Sequence, residues 1–134
     1  MQRSFSRELS SLAALFDFLD EAAERYRLDQ DARFASWLTA EEIFTNMVKY
    51  GGGENIISIS IDVRDGRLNL GFIHPGAVPF DITRVNDVDV SQPIAERPSN
   101  GLGLHLVRQV MDDIAYEYVG GVAHVTLSKH LGGE

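Results

Sequence analysis

The sequence predicts a two-layer α+β domain, with helices packed on one face of a mixed, mostly antiparallel sheet. Three observations carry that prediction. Apolar residues recur at three- and four-residue steps through the first fifty positions, alternate with polar ones from Ile57 to Phe72, and return to helical spacing after Gly103. A last alternating hairpin follows, and helices grouped ahead of strands point to α+β layering, not to alternating parallel units. The length of 134 residues suits a single domain spanning 1–134, and the chain has neither an internal repeat nor a low-complexity tail.

The first predicted helix begins at Phe5, because Phe5, Leu9, Leu12, Phe16, Leu19, Ala23 and Tyr26 form one apolar stripe. A polar break from Arg27 to Asp31 separates it from a second helix in which Trp37, Ala40, Phe44, Met47 and Val48 share a face. Gly51-Gly52-Gly53 is predicted to stop that helix and to leave a mobile link. Ile57, Ile59, Ile61 and Val63 then alternate with Ser58, Ser60 and Asp62, the pattern of a strand with one buried face. Asp65-Gly66 is a hairpin turn signal, and the return strand is Arg67 to Ile73. Residues 74–100 hold all four prolines and no sustained period, so most of this stretch reads as a long loop with a lid at about 83–100. Gly101-Leu102-Gly103-Leu104 opens a third helix carrying Leu104, Val107, Val110, Met111 and Ile114. Tyr116 and Tyr118, Gly120-Gly121, and Val125 and Leu127 make the final hairpin.

Composition narrows the function. With 12 Lys and Arg against 20 Asp and Glu the net charge is −8, a surface that repels phosphate backbones, so nucleic acid is not an expected partner. The absence of cysteine excludes a disulfide framework, a thiol nucleophile and a thiolate zinc site. No apolar run approaches the ~20 residues of a membrane span, and Met1-Gln2-Arg3-Ser4 lacks the apolar core of a signal peptide, so a cytoplasmic location is expected.

Three local features have the residue types for chemistry. Glu42, Asn46 and Lys49 lie one helical turn apart, where a carboxylate, an amide oxygen and a cation can orient a hydroxyl, hold a hard metal ion and neutralise phosphate. The competing reading is a capping box, Thr39-Ala40-Glu41-Glu42, which would make Glu42 a helix-start device. Asn100-Gly101-Leu102-Gly103-Leu104 sets glycines at a helix start, where backbone amides and the helix dipole favour an anion, although glycine also merely ends loops. Dinucleotide and Walker-type patterns are missing. His74-Pro75-Gly76-Ala77-Val78-Pro79-Phe80-Asp81 follows a strand, and Gly76 there permits close approach to a flat ligand or simply makes a turn. The remaining histidines, His105, His124 and His130, have no metal-ligand spacing, and no G-x-S-x-G signature is present.

In this order and spacing the features resemble the GHKL superfamily of histidine-kinase-type ATPases, and within it the short anti-sigma-factor serine/threonine kinase branch. The resemblance implies the Bergerat-type sandwich, bound ATP and Mg2+, and a role in transcriptional control by partner switching. It implies Glu42 as general base and Asn46 as the magnesium-binding residue. Gly76, Phe80 and Asp81 match the box beneath adenine, Gly101, Gly103 and Leu104 the phosphate-holding turn, and Thr126 a strand threonine that contacts the base. Lys49 and Arg97 are further phosphate partners under the same resemblance. The implied partners are an anti-anti-sigma antagonist of the STAS type and a sigma factor, and a homodimer is the implied assembly.

At one position the sequence departs from the family. The adenine-reading residue, normally Asp, is His74 here, which implies weaker or altered nucleotide recognition. A rival expectation is therefore a binding module of the same fold with impaired nucleotide binding. Another is the ATPase core of a sensor kinase, although the first helix carries no histidine to act as phosphoacceptor.

Overall fold

The computed structural model describes residues 1–50, 52–77 and 99–131, and of residues 99–104 the backbone alone. In chain order the elements are β1 (Gln2–Phe5), a 3-10 turn (Leu9–Ser11), α1 (Leu12–Arg25), α2 (Gln30–Tyr50), β2 (Ile57–Arg64), β3 (Arg67–Pro75), α3 (Ser99–Val110), β4 (Asp113–Val119) and β5 (Val122–His130). The strands form one sheet in the order β1-β2-β3-β5-β4 with every pairing antiparallel, and helices cover one face. The fold is α+β, as the periodicity predicts.

Four expectations are corrected. Phe5 belongs to a strand, opposite Ile57, and α1 starts only at Leu12. Phe5 still points into the core, edge-on to the rings of Phe18 and Phe44 at 5.8 and 6.4 Å, so its spacing imitates a helical stripe. Ile114 likewise reaches the core from β4, opposite Leu127, after α3 has ended at Val110. β3 runs to Pro75, which places His74 in the sheet and not in a loop. Trp37 is 42% exposed and stacks on Phe16 instead of joining the buried face of Phe44 and Met47.

The turn between α1 and α2 explains where the long second helix begins. Arg27 takes the left-handed conformation (φ 53°), and Leu28 N donates to Ala23 O at 3.0 Å, closing α1 in the manner usually left to glycine. Asp29 then caps α2, its Oδ1 accepting from Ala32 N at 2.8 Å. Buried side chains along α2 include Ala35, Ala40, Ile43, Phe44 and Met47, packed over the inner sheet residues Ile57, Ile59, Ile61, Leu68, Leu70 and Phe72. Both hairpin turns, Asp65-Gly66 (φ 54° and 72°) and Gly120-Gly121 (φ 60° and 79°), have the two consecutive positive φ values that match strand twist.

Candidate nucleotide site

Because α2 begins at Gln30, Glu42 lies in mid-helix and the capping-box reading of Thr39 to Glu42 is overturned. Thr39, Glu42 and Asn46 follow one another at steps of three and four residues, a polar stripe on a largely buried helix. Asn46 is 6% exposed, and its Nδ2 donates to Glu42 Oε2 and to the Glu42 carbonyl, both at 2.7 Å. Those two acceptors fix the amide's orientation, since only the NH2 group can face them. Asn46 Oδ1 is left buried with no hydrogen-bond partner among the described residues.

Such an orphaned oxygen is costly unless something occupies it. Among the described residues no group of three His, Asp or Glu side chains could hold a metal. A lone amide oxygen suits Mg2+, which keeps most of its ligands as water and substrate phosphate. Asn46 therefore fits the ion that the resemblance implies. Burial pushes the Glu42 carboxyl above its ordinary 4.5; the Asn46 hydrogen bond opposes this, Glu41 adds to the rise and the Lys49 charge lowers it. Lys49 stands exposed in the last turn.

A second group gathers where α2 leaves the helix layer. His74 is fully buried, and among the described residues neither ring nitrogen has a partner in good hydrogen-bond geometry. Burial pushes its pKa below 6.5; the Glu54 and Gly52 backbones and the Glu54 carboxylate oppose that, while the Arg7 charge reinforces it. Gly53 (φ 73°) packs against the backbone of Gly76 (φ 67°), and a Cβ on Gly53 would overlap the Gly76 carbonyl. Gly53 is thus part of a tight backbone contact and not of the mobile link expected over Gly51-Gly52-Gly53, of which Gly51 lies outside the described residues. Three hydrogen bonds hold the same stretch: Glu54 N to Pro75 O at 3.2 Å, Gly76 N to Gly121 O at 2.6 Å and Tyr118 Oη to Ala77 O at 2.7 Å.

Two residues here escape sequence reasoning. Arg7 reaches across to donate to Val48 O at 2.9 Å, in the last turn of α2, and to Glu54 O at 3.3 Å in the segment that follows, supplying a cation to the helix C-terminus. Tyr118 secures Ala77 from the edge strand. Neither partner is local in sequence, so no spacing signals them.

The other candidate residues divide clearly. Gly101 lies within the first turn of α3, and Gly103 and Leu104 lie just past it. α3 packs beside α2. Phe80, Asp81, Arg97 and nearly all of the lid expected at 83–100 fall outside the described residues. Thr126 is corrected: it sits opposite Gly71 on the outer face of the sheet, three positions out of phase with His74. The residue beside His74 on β5 is Ala123, so Thr126 does not join this group.

Residues 5–129 match the histidine kinase-like ATPase domain. The chain belongs to that family. Over 103 residues it is 30% identical to the serine-protein kinase RsbW of Bacillus cereus and that of Bacillus anthracis, an alignment covering 72% of this chain and 63% of each relative. The match thus spans just under two thirds of those relatives' length. Among solved structures, the RsbU and RsbW domains of a Mycobacterium tuberculosis protein superpose on all of this chain and 33% of that one, with a TM-score of 0.66 at 12% identity. The Acinetobacter baumannii histidine kinase AdeS gives 0.54 at 13% identity, covering 99% of this chain and 68% of its own. These two share the fold of the histidine kinase-like ATPase domain. No helix among the described residues is long and apolar enough to cross a membrane.

Proposed function

We propose that this histidine kinase-like domain binds Mg-ATP and acts as a serine/threonine protein kinase of the anti-sigma type. Its substrate would be a small STAS-type antagonist, exchanged against a sigma factor. The observation that carries the reading is the Glu42–Asn46 pair, in which the amide NH2 is tied to the carboxylate and the opposite oxygen is buried and unpartnered among the described residues. The similarity to RsbW supports the choice of branch.

In this reading Asn46 Oδ1 holds Mg2+, which when bound neutralises charge on the phosphates. Backbone amides of the first turn of α3, around Gly101, would face the phosphates, and Lys49 adds positive charge. Glu42 accepts the proton of the incoming serine hydroxyl, a task helped by a pKa raised through burial. Positioning and charge neutralisation are the main demands of phosphoryl transfer, and a rigid helix meets the first of them. Phe80, Asp81 and Arg97 complete the pocket in this proposal, and a homodimer is the assembly.

His74 favours a second reading. A buried imidazole offers at most one lone pair where the family has a carboxylate, so the same fold would serve as a protein-binding module with weak nucleotide affinity. Calorimetric titration of Mg-ATP into the pure protein separates the two. Micromolar binding followed by phosphate transfer to an antagonist supports the kinase, and no heat at millimolar ATP refutes it.

A further inference from the structure

The helix layer carries an aromatic groove that the nucleotide site does not use. It lies between α1 and α2, encloses about 290 Å³, and has Leu19 and Ala23 beside Phe34 and Trp37. Phe34 is 59% exposed, and Trp37, itself open to solvent, is held by stacking on Phe16 at 4.2 Å. Trp37 and Asn46 are nine residues apart on one helix, about half a revolution, so the groove and the Glu42–Asn46 pair face opposite ways. Large exposed aromatics clustered in a concavity are unusual on a surface with no partner, and such residues dominate binding energy at interfaces.

Charge says what kind of partner fits. Arg33, the one base lining the groove, is already committed, its Nε to Leu28 O at 2.9 Å and its guanidinium to Glu24 at 3.3 Å. Asp20 lines the groove and Asp17 stands one turn before it; both are exposed and neither has an ion pair among the described residues. A second copy of this chain packed symmetrically would set these acids against their own kind.

We propose that this groove docks a basic amphipathic helix of a partner protein. The helix lays large apolar side chains against Phe34 and Trp37 and sets lysine or arginine beside Asp17 and Asp20. The lining runs from residue 30 to residue 37 of α2, about two helical turns, enough for one such helix to present anchors at successive turns. This assignment is independent of nucleotide binding, and its test uses none.

Trp37 is the only tryptophan in the chain, so its fluorescence reports on the groove directly. The probe is an amphipathic Leu/Lys peptide of about eighteen residues, with a Leu/Glu peptide of the same pattern as control. A saturable blue shift with Leu/Lys alone is expected, weakening as salt is raised through the range that shortens the Debye length below about 5 Å. Phe34→Ser and Asp20→Lys should each lower affinity at least tenfold without changing the thermal midpoint. An equal response to the Leu/Glu peptide, no response at all, or binding undiminished in both variants would overturn the proposal. So would self-association in sedimentation that Phe34→Ser abolishes, because the groove would then join two copies.

Discussion

Gly53 and Gly76 meet backbone to backbone, so the loop leaving α2 rests directly on the loop leaving β3. That contact joins the element bearing Glu42 and Asn46 to the strand bearing His74, and it tolerates no side chain at Gly53. Gly53→Ala would both strain a positive φ and displace the Gly76 carbonyl. It should cost about 1–3 kcal/mol in urea unfolding and weaken nucleotide binding as well. Unchanged stability would mean that the contact is dispensable.

Glu42→Gln preserves an acceptor for Asn46 Nδ2 but cannot take a proton. Nucleotide affinity and melting temperature should stay near the parent values while phosphate transfer falls by at least about a hundredfold. Retention of transfer would remove Glu42 from the general-base role.

Asn46→Ala deletes the orphaned oxygen. ATP binding should weaken markedly in magnesium and hardly at all in chelator, as calorimetry can compare. Equal weakening under both conditions would show that Asn46 acts without a metal.

Under the proposed function, His74→Asp supplies the carboxylate acceptor that the resemblance implies for the adenine amino group. One buried hydrogen bond to a charged group is worth roughly 1–3 kcal/mol, so ATP should bind about 5- to 150-fold more tightly and gain preference over GTP. No gain at neutral pH would mean that other groups hold the base.

Acid should act on the fold through the same residue. The folded protein keeps His74 neutral below its ordinary 6.5, so the unfolded chain binds the extra proton and stability falls as pH drops below 6.5. Glu42 contributes with the opposite sign: its pKa is raised from 4.5, so protonation favours the folded state and its contribution to stability falls as pH rises just above 4.5. Urea midpoints between pH 7.5 and 5.5 should show the His74 loss, and His74→Gln should flatten it. An identical slope in the variant would assign the acid sensitivity elsewhere.

Much of this was readable from residue order. The period change at Ile57, the Asp65-Gly66 turn and the spacing of Glu42 and Asn46 are local signals, and each leads to the observed element or pair. What escaped depends on partners distant in sequence. Phe5 is spaced like a helical residue yet pairs with Ile57, Arg7 meets Val48 across 41 positions, and Thr126 faces away from His74 because strand register fixes its side. The capping box at Thr39 failed for a related reason: Asp29 starts the helix ten residues earlier, and the polar Thr39 is buried within it.

The strand order has a consequence for how the molecule comes into being. β3, at the centre of the sheet, pairs with β5, the last strand, and between them lie α3, β4 and all of the chain from Gly76 to Gly121. The β2–β3 hairpin can form early because its ends are close, whereas the central seam must wait for a long loop to close. Until β5 leaves the ribosome, β3 exposes an open edge and Leu70 and Phe72 lack Leu127 and Val125 opposite them. Nascent chains stalled before Val122 should therefore be the protease-sensitive, aggregation-prone species in its synthesis.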